Sequence, residues 1–527
     1  MTRKFKTDSY FCADMANPLK QLAGETAIYG LSSILARVLN FLFVPIYTRM
    51  LTQAQYGVVT EFMAYIAILQ VVLVLGLETG CFRFANKEGE DPAKVYSNAL
   101  WAVFAVNAAF LACIVAFSDG LANALGYAGY RSLIIYVGGI LFCDSLTAIL
   151  FAKLRQEHKA VRFAVIKTVK ILTETVGNLV LFFWFPGFCR THPGTVLTAF
   201  VSPAPDFTYP VFAIFLSCVL CLLIFVPEFL RVRFSFDKAL MRRLLAYSLP
   251  LMVAALPGVS NDFLDRILFR HFDLSSEAWR ASLGVYQAAV KLAVIMNLFI
   301  QMFRYAAEPF FFQRARDKGS KELYAVVMEY FTAFCGLVFL GVILYIDIVS
   351  LLLGRDFRVG VGVVPIMLLS YMLLGMLFNV SMWYKLSGRT NMAIWITLAG
   401  LVVTAAVNIV FMPRYSYWAS AFGHLASYLV MFILSAALGA RYYPIPYRWG
   451  RLGAIFVLMG IFYGASLLVG RRFPDPGIHW GKLALNTVLI LGYAAACFLL
   501  LQGRYRAVSA ATPSGPSSSP RESSQEE

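Results

Sequence analysis

The sequence predicts an all-α integral membrane protein with about fourteen transmembrane helices, and three observations carry that prediction. First, 60% of the 527 residues are hydrophobic and only 14% are charged, a balance outside the range of soluble globular chains. Second, the apolar residues gather into runs of about 20, the length a helix needs to cross a hydrocarbon core of about 30 Å. Third, short polar links, often basic, separate the runs. Inside a bilayer no water satisfies an open strand, so each run must form a helix.

The expected segments are 24–47, 58–82, 95–118, 130–152, 160–185, 210–230, 244–269, 282–308, 323–347, 361–384, 391–412, 417–440, 452–470 and 483–502. The first carries a polar stripe at Thr26, Tyr29, Ser33, Arg37 and Asn40. Spacings of three and four place these residues on one helical face. The polar link Leu51-Thr52-Gln53-Ala54-Gln55 leads into the second, which carries Glu61 and Glu78. The third is free of charge, and the fourth holds Asp144. The fifth carries Lys167, Lys170 and Glu174, again at spacings of three and four, so Glu174 is expected to pair with Lys170 along the helix. The sixth is apolar throughout apart from Glu228 near its end.

The seventh segment contains Pro250 and Pro257, followed by Asn261, Asp262, Asp265 and Arg266. The prolines remove backbone donors and are expected to break the helix, while Asp262 and Arg266 share a face and are expected to pair. The eighth places Gln287 and Lys291 on one face, with Asn297, Gln301, Arg304 and Glu308 on another. The last six segments contain no Lys or Arg.

The net charge of +16 would suit a nucleic-acid ligand if the cations were gathered on one surface. They are instead distributed as membrane orientation requires. With the N-terminus in the cytoplasm, most of the 45 Lys and Arg fall in cytoplasmic links, including Lys153-Leu154-Arg155, Arg231-Val232-Arg233, Arg242-Arg243, and Arg314 with Arg316, Lys318 and Lys321. This bias predicts that both termini are cytoplasmic; Arg471 and Arg472 are among the minority that fall outside. Residues 1–20 mix Arg3, Lys4, Lys6, Asp8 and Lys20 without an apolar run, so the first segment is expected to remain as an anchor. The nine cysteines form no framework, and Cys218-Val219-Leu220-Cys221 lies mid-segment without His or acidic partners, so they read as small core residues. No metal and no cofactor are expected.

A faint internal repeat organises the chain. Arg37 is followed by Tyr56-Gly57-Val58, and Arg266 by Gly284-Val285-Tyr286, each GV pair opening the next segment after a polar link. The expected organisation is a cytoplasmic segment 1–23, a six-helix lobe 24–230, a second lobe 231–440, two further helices in 441–502, and a Ser/Pro-rich disordered tail 503–527. The longest external link, about Gly187 to Tyr209, is too short for a separate domain.

Six cations lie at membrane depth: Arg37, Lys167, Lys170, Arg266, Lys291 and Arg304. An isolated charge there costs several kcal/mol, on the order of 2.5 or more, so each must face protein or water. One reading is structural, with Arg37 pairing to Glu61 and Lys167 reaching the headgroups. The other is a cationic cavity for an anion, in which Arg37, Lys167, Arg266, Lys291 and Arg304 contact substrate. Guanidinium and ammonium groups suit phosphate; a lipid pyrophosphate and a soluble organic anion both remain open. Glu61, Asp144 and Asp262 are the candidates for proton or sodium coupling, with Glu78 beside them.

The run from Gly24 through Arg37, Asn40 and Pro45 to Arg49, then Tyr56-Gly57-Val58, Leu75-Gly76-Leu77-Glu78-Thr79 and Phe82-Arg83-Phe84, closely resembles the opening of the polysaccharide-transport family. These are the Wzx-type oligosaccharide flippases of the multidrug/oligosaccharidyl-lipid/polysaccharide exporter superfamily. Ser248-Leu249-Pro250 with Asp265-Arg266 resembles the family's second lobe. The first 85 residues carry the specific likeness, and the rest matches in plan.

The resemblance implies a V-shaped pair of six-helix lobes, as in the drug antiporters of that superfamily, around a central cationic cavity. It implies alternating access that moves undecaprenyl-pyrophosphate-linked sugar repeats between leaflets of a bacterial inner membrane. It also implies neighbouring polysaccharide assembly proteins as partners; the related lipid II flippases form a lipid groove from their last two helices, and nothing in the sequence of these two demands one. A lipid II flippase would share fold and cavity. A drug/cation antiporter is disfavoured by six buried cations. A polymerase or ligase needs acids or histidines in sizeable external loops, and the five His are scattered.

Overall fold

Local capping decides where the helices begin, and most outrun the apolar segments that announce them. Thr52 accepts from the Gln55 backbone N–H at 3.3 Å while the Gln55 side chain accepts from the Thr52 N–H at 3.0 Å. This reciprocal cap starts a helix at Gln53, five residues ahead of the expected 58. Asp91 and Asp237 likewise accept from backbone N–H groups two residues on, each opening a helix.

The computed structural model describes residues 34–502 apart from 36, 193, 232–234, 274–277, 316–318 and 474–478. The expected segments 1–23 and 503–527, and the stripe residues Thr26, Tyr29 and Ser33, lie outside the described residues. The principal helices are α1 (Val44–Met50), α2 (Gln53–Leu73), α3 (Leu77–Ala85), α4 (Pro92–Ala116), α5 (Arg131–Gln156), α6 (Ala160–Leu179), α7 (Thr208–Arg231), α8 (Lys238–Phe272), α9 (Trp279–Gln313), α10 (Ser320–Leu344), α11 (Val364–Val380), α12 (Met392–Tyr415), α13 (Tyr417–Tyr442), α14 (Trp449–Arg472) and α15 (Trp480–Leu501). No strand occurs among the described residues. Thirteen spans among them are long and apolar enough to cross a membrane. The remaining expected segment, 24–47, is described only from residue 34, and residues 37–42 of it are helical.

One expectation about local structure is corrected. Pro250 and Pro257 do not break α8, which runs unbroken from Lys238 to Phe272. Each proline removes one donor, and a helix in the apolar interior of a bilayer keeps its remaining ladder because no competing water is at hand.

The chain forms two compact units: Met1–Met302 with Ser350–Ser370 and Ile394–Met431, and Phe303–Val349 with Tyr371–Ala393 and Phe432–Glu527. This division by packing differs from the division into 24–230 and 231–440 expected from the sequence.

In the first unit α5 is the most enclosed span, with 78% of its apolar window buried. Small residues allow this: Gly138 sits against Leu111 and Ile114 of α4, and Gly139 against the Phe215 ring of α7. Around them Leu100, Leu146, Leu150 and Phe225 form the core. Cys218 and Cys221 are fully buried, whereas Cys113 is exposed on α4 and is not a core residue.

The two glycines of the repeat meet. A Cβ on Gly57 would strike the Arg280 carbonyl, and a Cβ on Gly284 would strike the Gln53 carbonyl. Helices α2 and α9 therefore cross backbone to backbone, each glycine meeting the residue four before the other. Gly57→Ala is expected to cost about 1–3 kcal/mol, because the obstacle is a main-chain atom and no side chain can yield. Thermal unfolding in detergent measures this, and an unchanged melting temperature would refute the crossing.

In the second unit the last two helices are tied to α10. The Tyr493 hydroxyl donates to the Ala333 carbonyl at 3.2 Å and lies against Gly336. Asn486 donates to the Leu344 carbonyl at 2.6 Å and accepts from Ser466 at 3.2 Å. Lys482 pairs with Asp347 at 2.5 Å, and Arg451 with the buried Glu329 at 3.5 Å.

Candidate functional site

The six intramembrane cations fall into two groups. Lys170 of α6 is neutralised by Asp144 of α5 at 2.5 Å. Arg304 lies in the second unit, 3.9 Å from Glu308, which also holds Lys385 at 2.6 Å; Arg304 lies over the Phe378 ring at 5.2 Å.

The other four belong to the first unit. Among the described residues, Arg37, Arg266 and Lys291 have no carboxylate at ion-pair distance. Arg37 is exposed, while Arg266 and Lys291 are half-buried. Arg266 stacks over Phe263 at 4.4 Å, and its buried Nε has no hydrogen-bond partner. Lys167 is half-buried with its ammonium 5.3 Å above the Phe163 ring.

Like charges are gathered here. The charges of Arg155, Lys170 and Arg37 act on Lys167, and the charge of Arg266 acts on Lys291 and on Tyr56. Glu78 also acts on Lys167, and Asp262 and Asp265 interact with Arg266; positive charges gathered in this way raise the local potential and attract an anion. The structure thus brings Arg37 near Lys167 and Arg266 near Lys291, and places Arg304 in a different unit.

Three expected pairings are corrected. Glu174 does not take Lys170, because Asp144 on the neighbouring helix does. Glu61 does not take Arg37, because Arg270 occupies it through Nε at 2.8 Å and Nη2 at 2.5 Å. Asp262 does not pair with Arg266: it accepts from the Tyr428 hydroxyl at 2.7 Å.

The coupling candidates differ in the same way. Glu61 is 0% exposed and also accepts from the hydroxyls of Tyr65 and Tyr127. Glu78 is paired with Arg155 and Asp144 with Lys170, whereas Asp262 is exposed with a hydroxyl partner. Beside it the fully buried Asp265 meets His424 Nε2 at 3.1 Å. One turn away Asn261 accepts from Thr404 at 2.6 Å and Ser427 at 2.9 Å, and Ser420 donates to Asn408 at 2.7 Å. This polar network ties α8 to α12 and α13.

Sequence reasoning missed that network because it searched for cations and acids. The available signal was the stripe Ser420, His424, Ser427 and Tyr428 in an otherwise apolar segment, at spacings that share a helical face.

A family model described as polysaccharide biosynthesis protein matches residues 22–315. No curated protein matches the chain significantly. Among solved structures, the lipid II flippase MurJ in an inward closed conformation superposes with a TM-score of 0.67 at 12% identity, covering 89% of this chain and 98% of that one. An inward-facing multidrug resistance MATE family transporter of the MOP superfamily gives 0.53 at 14%, covering 77% and 97%. A MATE structure in complex with MaD3S gives 0.54 at 16%, covering 80% and 94%. At these identities the likeness is one of fold.

Proposed function

We infer the function from the premise that the chain belongs to the polysaccharide biosynthesis protein family and is a multi-pass membrane protein. It is a flippase for undecaprenyl-pyrophosphate-linked oligosaccharide, moving the headgroup from the inner to the outer leaflet of a bacterial inner membrane by alternating access. No covalent bond changes in this process. The observation that carries the reading is the set of intramembrane cations with no carboxylate at ion-pair distance among the described residues, Arg37, Arg266 and Lys291, with Lys167 near Arg37. Placing an unpaired cation at membrane depth is unfavourable, so its persistence is best explained by an anionic ligand that arrives and leaves. A pyrophosphate offers several acceptor oxygens to such groups.

The Lys/Arg bias supports an orientation with both termini cytoplasmic. It places the links before α2, after α8 and after α10 outside. Proton or sodium coupling would run through a carboxylate that no internal cation already holds, and Asp262 meets that requirement better than Glu61 or Asp144.

Lipid II carries the same pyrophosphate, and the fold likeness to MurJ supports it as a second reading. Purified protein should bind undecaprenyl-pyrophosphate oligosaccharide in preference to an organic cation panel. Binding should weaken by about tenfold or more in Arg266→Met, the loss of one charge-assisted contact. Preference for lipid II would select the second reading. Binding of cations without the pyrophosphate lipid would refute both.

A further inference from the structure

The ends of α5, α6 and α7 that the proposed orientation places in the cytoplasm enclose a notch that the transport reading does not use. The turn between α5 and α6 is tight: His158 takes it at φ 54°, and the Lys159 N–H donates back to the Leu154 carbonyl at 2.9 Å. α6 then starts at Ala160 with no side-chain cap on its first N–H groups, and α7 packs along both helices. Cations from every one of these pieces meet. Lys153 comes from the last turn of α5, Lys159 from the turn, Arg162 from the first turn of α6 and Arg231 from the end of α7. They line a cavity of about 170 Å³ whose floor is the buried Leu154 and Phe225. That is room for about a dozen waters, the size of a glycerol phosphate.

Two carboxylates oppose the four cations. Glu228 is buried and holds Arg162. Glu157 serves both lysines, at 2.7 Å from Lys159 and 3.8 Å from Lys153, and none of the three is buried. Exposed pairs of this kind contribute little and exchange readily. Arg231 has no carboxylate at ion-pair distance among the described residues. The excess of positive charge adds to the positive end of the α6 dipole. An anion with several acceptor oxygens would meet both lysines, Arg231 and uncapped N–H groups in one place.

The notch is separate from the cations assigned to substrate. Arg155, two residues beyond Lys153, lies on another side of α5 and pairs with Glu78; its charge acts on Lys167. Arg162 and Lys167 are five residues apart on α6 and so lie on different faces. Beside the notch, Val161 and Leu230 are strongly exposed, and in a bilayer such side chains meet acyl chains as apolar as themselves.

We propose that this notch is a binding site for a phosphate group, filled by the headgroup of an anionic glycerophospholipid of the cytoplasmic leaflet. Basic pockets between transmembrane helices on that side suit such headgroups. The phosphate takes Lys153, Lys159 and Arg231 and displaces Glu157 from the lysines, while Arg162 stays with Glu228 as the wall. The acyl chains leave over Val161 and Leu230. The bound lipid joins three helix ends and stabilises the folded protein by mass action. The inference takes from the proposed function only the orientation that names the leaflet, and is independent of which lipid is transported.

The test places the full-length protein in nanodiscs of phosphatidylcholine with or without phosphatidylglycerol, and measures thermal unfolding and the lipid retained on extraction. The site variant is Lys153→Gln with Lys159→Gln and Arg231→Gln. The control neutralises as many exposed cations on the same side, Lys94→Gln with Lys238→Gln and Arg242→Gln. Phosphatidylglycerol is expected to raise the melting temperature of parent and control, and the site variant is expected to retain about tenfold less of it, the loss of a charge-assisted contact. An equal loss in the control overturns the proposal, because the effect is then one of general surface charge. Inorganic phosphate titrated into phosphatidylcholine nanodiscs separates the two sources. A rise in melting temperature with phosphate that the site variant lacks, without preference for phosphatidylglycerol, keeps the site and assigns it to a soluble phosphate; a parent that responds to neither overturns it. If the site variant does not fold, the parent decides. Phosphatidylglycerol with a photoreactive headgroup is expected to label residues 153–162 or 225–231, and labelling confined to other segments overturns the proposal. No readout depends on transport, so failure of the flippase reading is distinguishable from failure of this site.

Discussion

Arg37→Ala and Lys291→Met are each expected to abolish transport while leaving the folded protein as stable as the parent. Neither cation has a carboxylate at ion-pair distance among the described residues, so its removal strands no counterion. Removing a like charge near Lys167 or Arg266 relieves repulsion. What is lost is a charge-assisted contact to the substrate phosphate, about 1.5–3 kcal/mol, or roughly 10- to 150-fold in binding before any effect on the conformational cycle. Lys170→Met is the informative contrast. It leaves Asp144 without its partner at 2.5 Å and should lower the melting temperature. Melting curves and flipping rates for the three variants separate the roles. A native flipping rate in a folded Arg37→Ala protein would remove the cavity's central residue, and a lowered melting temperature would return Arg37 to a structural role.

The second large effect concerns Arg270. Arg270→Ala is expected to destabilise the protein by about 3–5 kcal/mol, the cost of leaving a buried carboxylate without its cation. Glu61 retains two tyrosine hydroxyls, but these neutral donors do not replace a guanidinium that supplies two bonds. The double variant Glu61→Gln with Arg270→Ala should recover much of the loss, because the buried charge is then gone. Equilibrium or thermal unfolding of the four proteins forms a double-mutant cycle. Additive effects would mean that the two side chains do not interact, and the assignment would fall.

Much of the fold was legible because its signals are local. The apolar runs from 58–82 to 483–502 each correspond to a helix, since length and hydropathy alone decide what crosses a bilayer. Helix starts were less legible: the Thr52–Gln55 cap lies in a polar link that hydropathy passes over. The Gly57 and Gly284 motifs were visible as a repeat, but nothing in either motif announced that the two would touch.

The charged residues show the same division. Their presence at membrane depth was readable, and so was the chemistry they favour. Their partners were not. Lys170 lay four residues from Glu174 and paired instead with Asp144, 26 residues away; Glu61 paired with Arg270, 209 residues away. Asp265 found His424 at a separation of 159.

Apolar runs of bilayer length are enough to make this chain a multi-pass helical membrane protein, and they place cations where a bilayer tolerates few. Which of those cations are neutralised, as Lys170 is by Asp144, and which have no carboxylate at ion-pair distance among the described residues, as with Arg37 and Lys291, follows from how the helices pack. The reason is physical. Burial length and helical period are properties of a segment, whereas an ion pair depends on the rotation and depth of two helices packed against each other, which no single segment encodes.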